Sequence, residues 1–230
     1  MIRSASPGGP AARLRDSHVV PANDVPAWGV VVPVKRLALA KTRLGAYGSA
    51  ARSELALAFA ADVVAAALAC PAVVRVLVVT DDERAAALLL GLGAVVDPDQ
   101  PDAGLNPALE HGAALLRRRL GDCGVATASS DLPCLRPDDL AAALAAVPPA
   151  GRAFVADADG RGTTLLAAAP GAQLRPAYGE GSRLRHLRSG AVELAGSPAL
   201  RRDVDTPEDL REASALGLGP RTAAVVARLR

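Results

Sequence analysis

The chain has 230 residues, of which 50% are hydrophobic and 22% charged, a balance that can bury one core of ordinary domain size. Its 26 basic and 24 acidic residues leave a net charge of +2, so no global field directs it to nucleic acid or an anionic membrane, and any phosphate binding must be local. The five aromatic residues, Trp28, Tyr47, Phe59, Phe154 and Tyr178, are too few to stack successive bases, and the core falls to Ala, Leu and Val.

Residues 1–26 are rich in Pro, Gly, Ser and Ala, lack the apolar core of a signal peptide, and read as a flexible tail. The segment 28–34 is a β-branched run that reads as a buried parallel strand ending in a basic loop. Apolar residues at helical spacing over 53–69, closed by Pro71, predict a crossover helix, and 73–80 a second buried strand stopping at Asp81 and Asp82. A helix over 83–90, a short strand over 91–96 and a long helix over 106–120 continue the alternation. A strand at 124–129 opens onto Ser130-Asp131-Leu132-Pro133, followed by a helix from Pro137 with acids in its first turn. The pattern predicts an α/β fold, a single-domain, mostly parallel, doubly wound sheet flanked by helices.

The last third changes character. Two short strands, 153–157 and 163–168, flank a turn-rich connection and read as a small β insertion over the site. A helix over 182–189, a strand over 191–194 and a capped helix start at Thr206-Pro207 follow. The expected organisation is therefore a tail (1–26), one domain (27–216) and a C-terminal tail or short helix (217–230). No stretch reaches the roughly 18 uninterrupted apolar residues of a membrane span. Cys70, Cys123 and Cys134 have no metal-ligand spacing, and an odd number without a secretory signal fits reduced thiols in a cytoplasm.

Ligands of open α/β sheets gather beyond the carboxyl ends of the strands, which singles out three groups of residues. Lys35, Arg36, Lys41 and Arg43 follow the first strand and could neutralise a triphosphate, or could simply form a solvated basic face. No P-loop or dinucleotide-binding glycine pattern accompanies them, which disfavours a kinase or dehydrogenase. Asp131, Asp203 and Asp205 are oxygen ligands suited to magnesium. Asp203 and Asp205 alternate in a predicted strand that places both on one face, although Asp131 and Asp205 also read as turn or cap residues. Gly162 to Thr164 and Tyr178 to Ser182 combine glycines and hydroxyls that suit a small anion, or a flexible loop with a Ser cap. Zinc and Ser/His/Asp hydrolase signatures are missing.

Taken in order, PVKRLALAKTRL, VVTDD, GLNPALEHG, SSDLPCL, GTTLL, YGEGSRLRH and RDVDTPEDL resemble the phosphoenolpyruvate or 2-phospho-L-lactate guanylyltransferases of coenzyme F-420 biosynthesis, over about residues 27–216. The resemblance implies a Rossmann-like nucleotidyltransferase, related to those of sugar phosphates and molybdopterin, that transfers GMP from GTP to a phosphoacid and releases pyrophosphate. It implies two magnesium ions on Asp131, Asp203 and Asp205, the acid on Thr164, Gly179 and Ser182, and the GTP phosphates facing Lys35, Lys41 and Arg43. Asn106 is either a guanine or ribose contact or a turn or helix cap. A downstream deazaflavin transferase would consume the product. Other acceptors, such as 3-phosphoglycerate or a sugar phosphate, and a catalytically silent nucleotide-binding module are the competing readings.

Overall fold

The computed structural model describes residues 27–229, so the tail expected over 1–26 lies outside the described residues. Seven strands form one mixed sheet in the order β3-β2-β1-β4-β6-β5-β7: β1 Trp28–Pro33, β2 Val73–Val79, β3 Val95–Asp97, β4 Gly124–Ala128, β5 Arg152–Ala156, β6 Thr163–Ala168 and β7 Val192–Leu194. β1 to β4 pair in parallel, as their alternation with α1 (Gly48–Ala69), α2 (Glu83–Gly91) and α3 (Leu105–Leu120) requires. β6 runs antiparallel between β4 and β5. The hairpin expected to lie over the site is thus built into the sheet, because β6 supplies the free edge of β4 with a partner.

Both faces of β1 are covered. Val30 and Val32 pack into a core with α1 and α4 (Pro137–Ala145), while Val31 faces Leu109, Ala113 and Leu116 of α3. Gly112 allows that approach, since a Cβ there would stand 2.9 Å from a Val31 methyl. A third cluster gathers Leu44, Phe59, Val204, Leu210 and Val225 from α1, α7 (Pro207–Leu216), α8 (Pro220–Arg228) and the loops between. With apolar layers on several sides, α1 carries a nearly continuous Ala/Leu/Val run and little amphipathic stripe. Its one buried charge, Asp62, accepts from the backbone N–H groups of Arg221 (3.1 Å) and Thr222 (2.8 Å) and so caps α8 from inside.

Boundaries shift where local chemistry decides them. α1 starts at Gly48 rather than Ser53, following a 3-10 segment over Thr42–Tyr47. α2 continues through Gly91 and its chain turns at Gly93 (φ 105°), which shortens β3 to three residues. The strand expected around Asp203 and Asp205 is absent. The chain there pairs with no strand, and its N–H groups donate instead to the Arg201 carbonyl (Asp203, 3.2 Å), the Asp131 carbonyl (Val204, 3.0 Å) and Asp209 Oδ2 (Asp205, 3.1 Å).

Candidate active site

The carboxyl ends of β1, β4 and β5 open onto one cavity of about 470 Å³. Beyond β1 the basic segment folds as two 3-10 turns separated by Lys41, whose backbone is left-handed (φ 53°). That turn aims the Lys41 ammonium inward, with its side chain only 9% exposed, between Asp131 Oδ2 (2.6 Å) and Asp205 Oδ1 (2.7 Å). Burial alone would depress the ammonium, but the two carboxylates outweigh it and hold its pKa above the usual lysine value. Lys35 and Arg43 line the same cavity from exposed positions, whereas Arg36 turns away towards Asp81 (3.8 Å).

Asp131 arrives directly beyond β4, and Asp203 and Asp205 beyond α6 (Pro198–Arg201). Val204 is fully buried in the third cluster while its two acidic neighbours line the cavity, so the expected alternation survives without a strand. Asp203 titrates at about 7, lifted first by burial and then by Asp131, Asp157 and Asp205. Asp131 Oδ1 is buried with no hydrogen-bond partner among the described residues. Hard oxygens, one of them orphaned, and a carboxylate cluster that resists full ionisation are what a divalent cation would relieve. Among the described residues no three His, Cys, Asp or Glu side chains enclose a metal by themselves, so substrate or solvent oxygens would have to complete the shell.

Gly179, Thr163 and Ser182 line the opposite wall, which is neutral beyond the carboxylate of Asp157. Thr164 does not, because its buried hydroxyl donates back to the Val155 carbonyl (3.4 Å). A register shift between Val155 and Ala156 opposite this stretch alters the strand's phase, so the cavity hydroxyl is that of Thr163. Asn106 is also placed away from the cavity lining. Its amide donates to the Tyr178 carbonyl (3.2 Å) and accepts from the Tyr178 N–H (2.7 Å), clamping the loop that leads to Gly179. Asp157 was missed by the sequence reading although it follows β5, because its oxygens accept from Arg161 and Gly162 N–H groups (2.8 and 2.7 Å) in what reads as an ordinary turn.

Lysine against paired aspartates at the carboxyl edge of a parallel sheet, facing a hydroxyl-lined wall, is an arrangement for handling phosphates. The family model described as "Guanylyl transferase CofC like" matches residues 28–230. The chain belongs to this guanylyltransferase family. It is 59% identical over 204 residues to a phosphoenolpyruvate guanylyltransferase of Thermomonospora curvata, covering 88% of this chain and 90% of that one. A protein of the same name from Streptomyces coelicolor is 58% identical over 205 residues, with 88% and 97% covered. Among solved structures, a nucleotidyl transferase from Methanothermobacter thermautotroptrophicus superposes with a TM-score of 0.56 at 21% identity, covering 83% and 97%. A 4-diphosphocytidyl-2C-methyl-D-erythritol synthase gives 0.51 at 16%, covering 83% and 98%. These two share the fold. The protein is therefore an enzyme, a nucleotidyltransferase. The three cysteines are free and buried, and no helix among the described residues is long and apolar enough to cross a membrane.

Proposed function

We propose that the protein transfers GMP from GTP to phosphoenolpyruvate, releasing pyrophosphate and forming enolpyruvoyl-2-diphospho-5'-guanosine for coenzyme F-420 biosynthesis. With 2-phospho-L-lactate as the competing acceptor, the product would be lactyl-2-diphospho-5'-guanosine. The observation that carries this reading is the convergence of Lys41, Asp131, Asp203 and Asp205 in one cavity; the relatives named for phosphoenolpyruvate support the choice of acceptor.

In this reading an oxygen of the acceptor phosphate attacks the α-phosphorus of GTP in line, the bond to the β-phosphate oxygen breaks, and pyrophosphate leaves without a covalent enzyme intermediate. Lys35, Lys41 and Arg43 face the triphosphate, and their positive charge favours the negative charge that builds up on the departing pyrophosphate. Asp131, Asp203 and Asp205 hold magnesium, two ions by the family resemblance, which when bound would neutralise phosphate oxygens. Gly179, Ser182 and the Thr163 hydroxyl receive the acid and align it for attack, while Thr164, which the family resemblance implies for this role, sits beside them with its hydroxyl turned to Val155.

Mass spectrometry of products after incubation with GTP, magnesium and either acid tests the proposal, with ATP and metal-free controls. A GMP-linked product with phosphoenolpyruvate is expected. Product only with a different phosphoacid would replace the acceptor, and GTP binding without pyrophosphate release for any acceptor would favour a silent module.

A further inference from the structure

His186 lies on α5 (Ser182–Arg188), fully buried, with its ring against Phe154 and Tyr178 and no contact with the cavity. Its Nε2 accepts from the Ala177 backbone N–H at 3.0 Å. A backbone N–H can only donate, so Nε2 carries the lone pair and the neutral ring holds its proton on Nδ1. The ring is neutral because burial, then the charges of Arg152 and Arg185, lower its pKa to about 4. The Nδ1–H therefore donates to Thr163 Oγ1, 2.9 Å away. The Ser182 hydroxyl donates to the same oxygen at 3.2 Å.

A threonine oxygen has two lone pairs and one hydrogen. With both lone pairs engaged by these donors, the hydrogen of Thr163 is left to donate, and the cavity is what this residue lines. We propose that His186 is a positioning residue for the acceptor acid: fixed as the Nδ1–H tautomer by Ala177, it commits the Thr163 hydroxyl to donate to an anionic oxygen in the cavity. The opposite tautomer would draw the Thr163 hydrogen towards Nδ1 and turn a lone pair on the cavity, which repels an anion. Donors stacked behind a hydroxyl also polarise it and strengthen the bond it makes. The inference rests on the reading that a phosphorylated carboxylic acid occupies this wall.

Two substitutions separate positioning from loop support. His186→Gln places its amide near Nε2, keeping an acceptor for Ala177 and losing the donor to Thr163. His186→Asn places its amide near Nδ1, keeping that donor and losing the Ala177 contact. Steady-state kinetics should show the phosphoenolpyruvate KM raised about 10- to 100-fold in His186→Gln and in Thr163→Val, the range for one hydrogen bond to a charged group. The GTP KM should be unchanged in all four variants, and the rise in the phosphoenolpyruvate KM should be smaller in His186→Asn and Thr163→Ser, which keep the donor and the hydroxyl, than in His186→Gln and Thr163→Val. An Asn variant worse than the Gln variant, or equal rises in both KM values, would overturn the proposal. So would ¹⁵N chemical shifts of the wild-type imidazole that report an Nε2–H tautomer, a measurement independent of how the variants fold. Absence of GMP-linked product from the wild-type protein would sink the acceptor reading instead, and the tautomer measurement would still decide the hydrogen-bond polarity.

Discussion

The two walls of the cavity are built on opposite electrostatic terms. On one side, charges from three distant segments meet: Lys41 pairs with partners 90 and 164 residues away. On the other, past Asp157, the polar groups are hydroxyls and backbone, gathered within residues 163–186 and backed by an imidazole kept neutral. The contrast teaches that the same burial acts in opposite directions. It raises the pKa of Asp203 and lowers that of His186, in each case favouring the neutral form of that one group.

Asp203→Asn breaks the charged wall. Turnover should fall on the order of 100- to 1,000-fold, the scale for removing one preorganised electrostatic group, and product formation by mass spectrometry measures it. The same variant should be more stable than the wild-type protein in the metal-free state. A raised carboxyl pKa means the folded state binds more protons than the unfolded state between about 3.8 and about 7, so stability is lost as pH rises through that window. Removing the charge should recover on the order of 2 kcal/mol at pH 8 in urea unfolding.

The neutral wall should respond in reverse. His186 has a folded pKa of about 4 against 6.5 for the free side chain, so the unfolded state binds more protons in between. Stability should fall by up to about 3 kcal/mol as pH drops through that window. His186→Asn should flatten this slope while Asp203→Asn leaves it, as denaturant midpoints at pH 7, 5 and 4 would show.

Asn106→Ala should have the smallest effect. Losing two hydrogen bonds to the Tyr178 backbone should raise the acceptor KM several-fold, on the scale of about 1 kcal/mol per bond, and leave the GTP KM alone. A raised GTP KM would return Asn106 to the guanine side.

Much of the first wall was legible because strand ends announce themselves. β1, β2 and β4 are near-continuous apolar runs, and the residues just beyond them, Lys41 and Asp131, meet where the sheet rule places them. The second wall was less legible for two physical reasons. A hairpin sequence fits a covering flap as well as a central pair, and only the unpaired edge of β4, a long-range fact, decides between them. The phase of β6 depends on a register shift no local pattern signals, and it is Thr163 that faces the cavity, beside the Thr164 that the family resemblance implies. His186 is harder still, since its contribution lies in which nitrogen holds the proton, and that is set by Ala177 N–H.

The buried Asp62 has a bearing on how short this chain can be made. Its carboxylate, with the side chain only 3% exposed, is satisfied by backbone donors from α8. A chain ending before Pro220 would keep every cavity residue yet deprive that carboxylate of both backbone donors and uncover the apolar face of α1 that α8 covers with Val225. What looks like a dispensable terminus in a list of active-site residues is, for α1, the other half of its only buried ionic group.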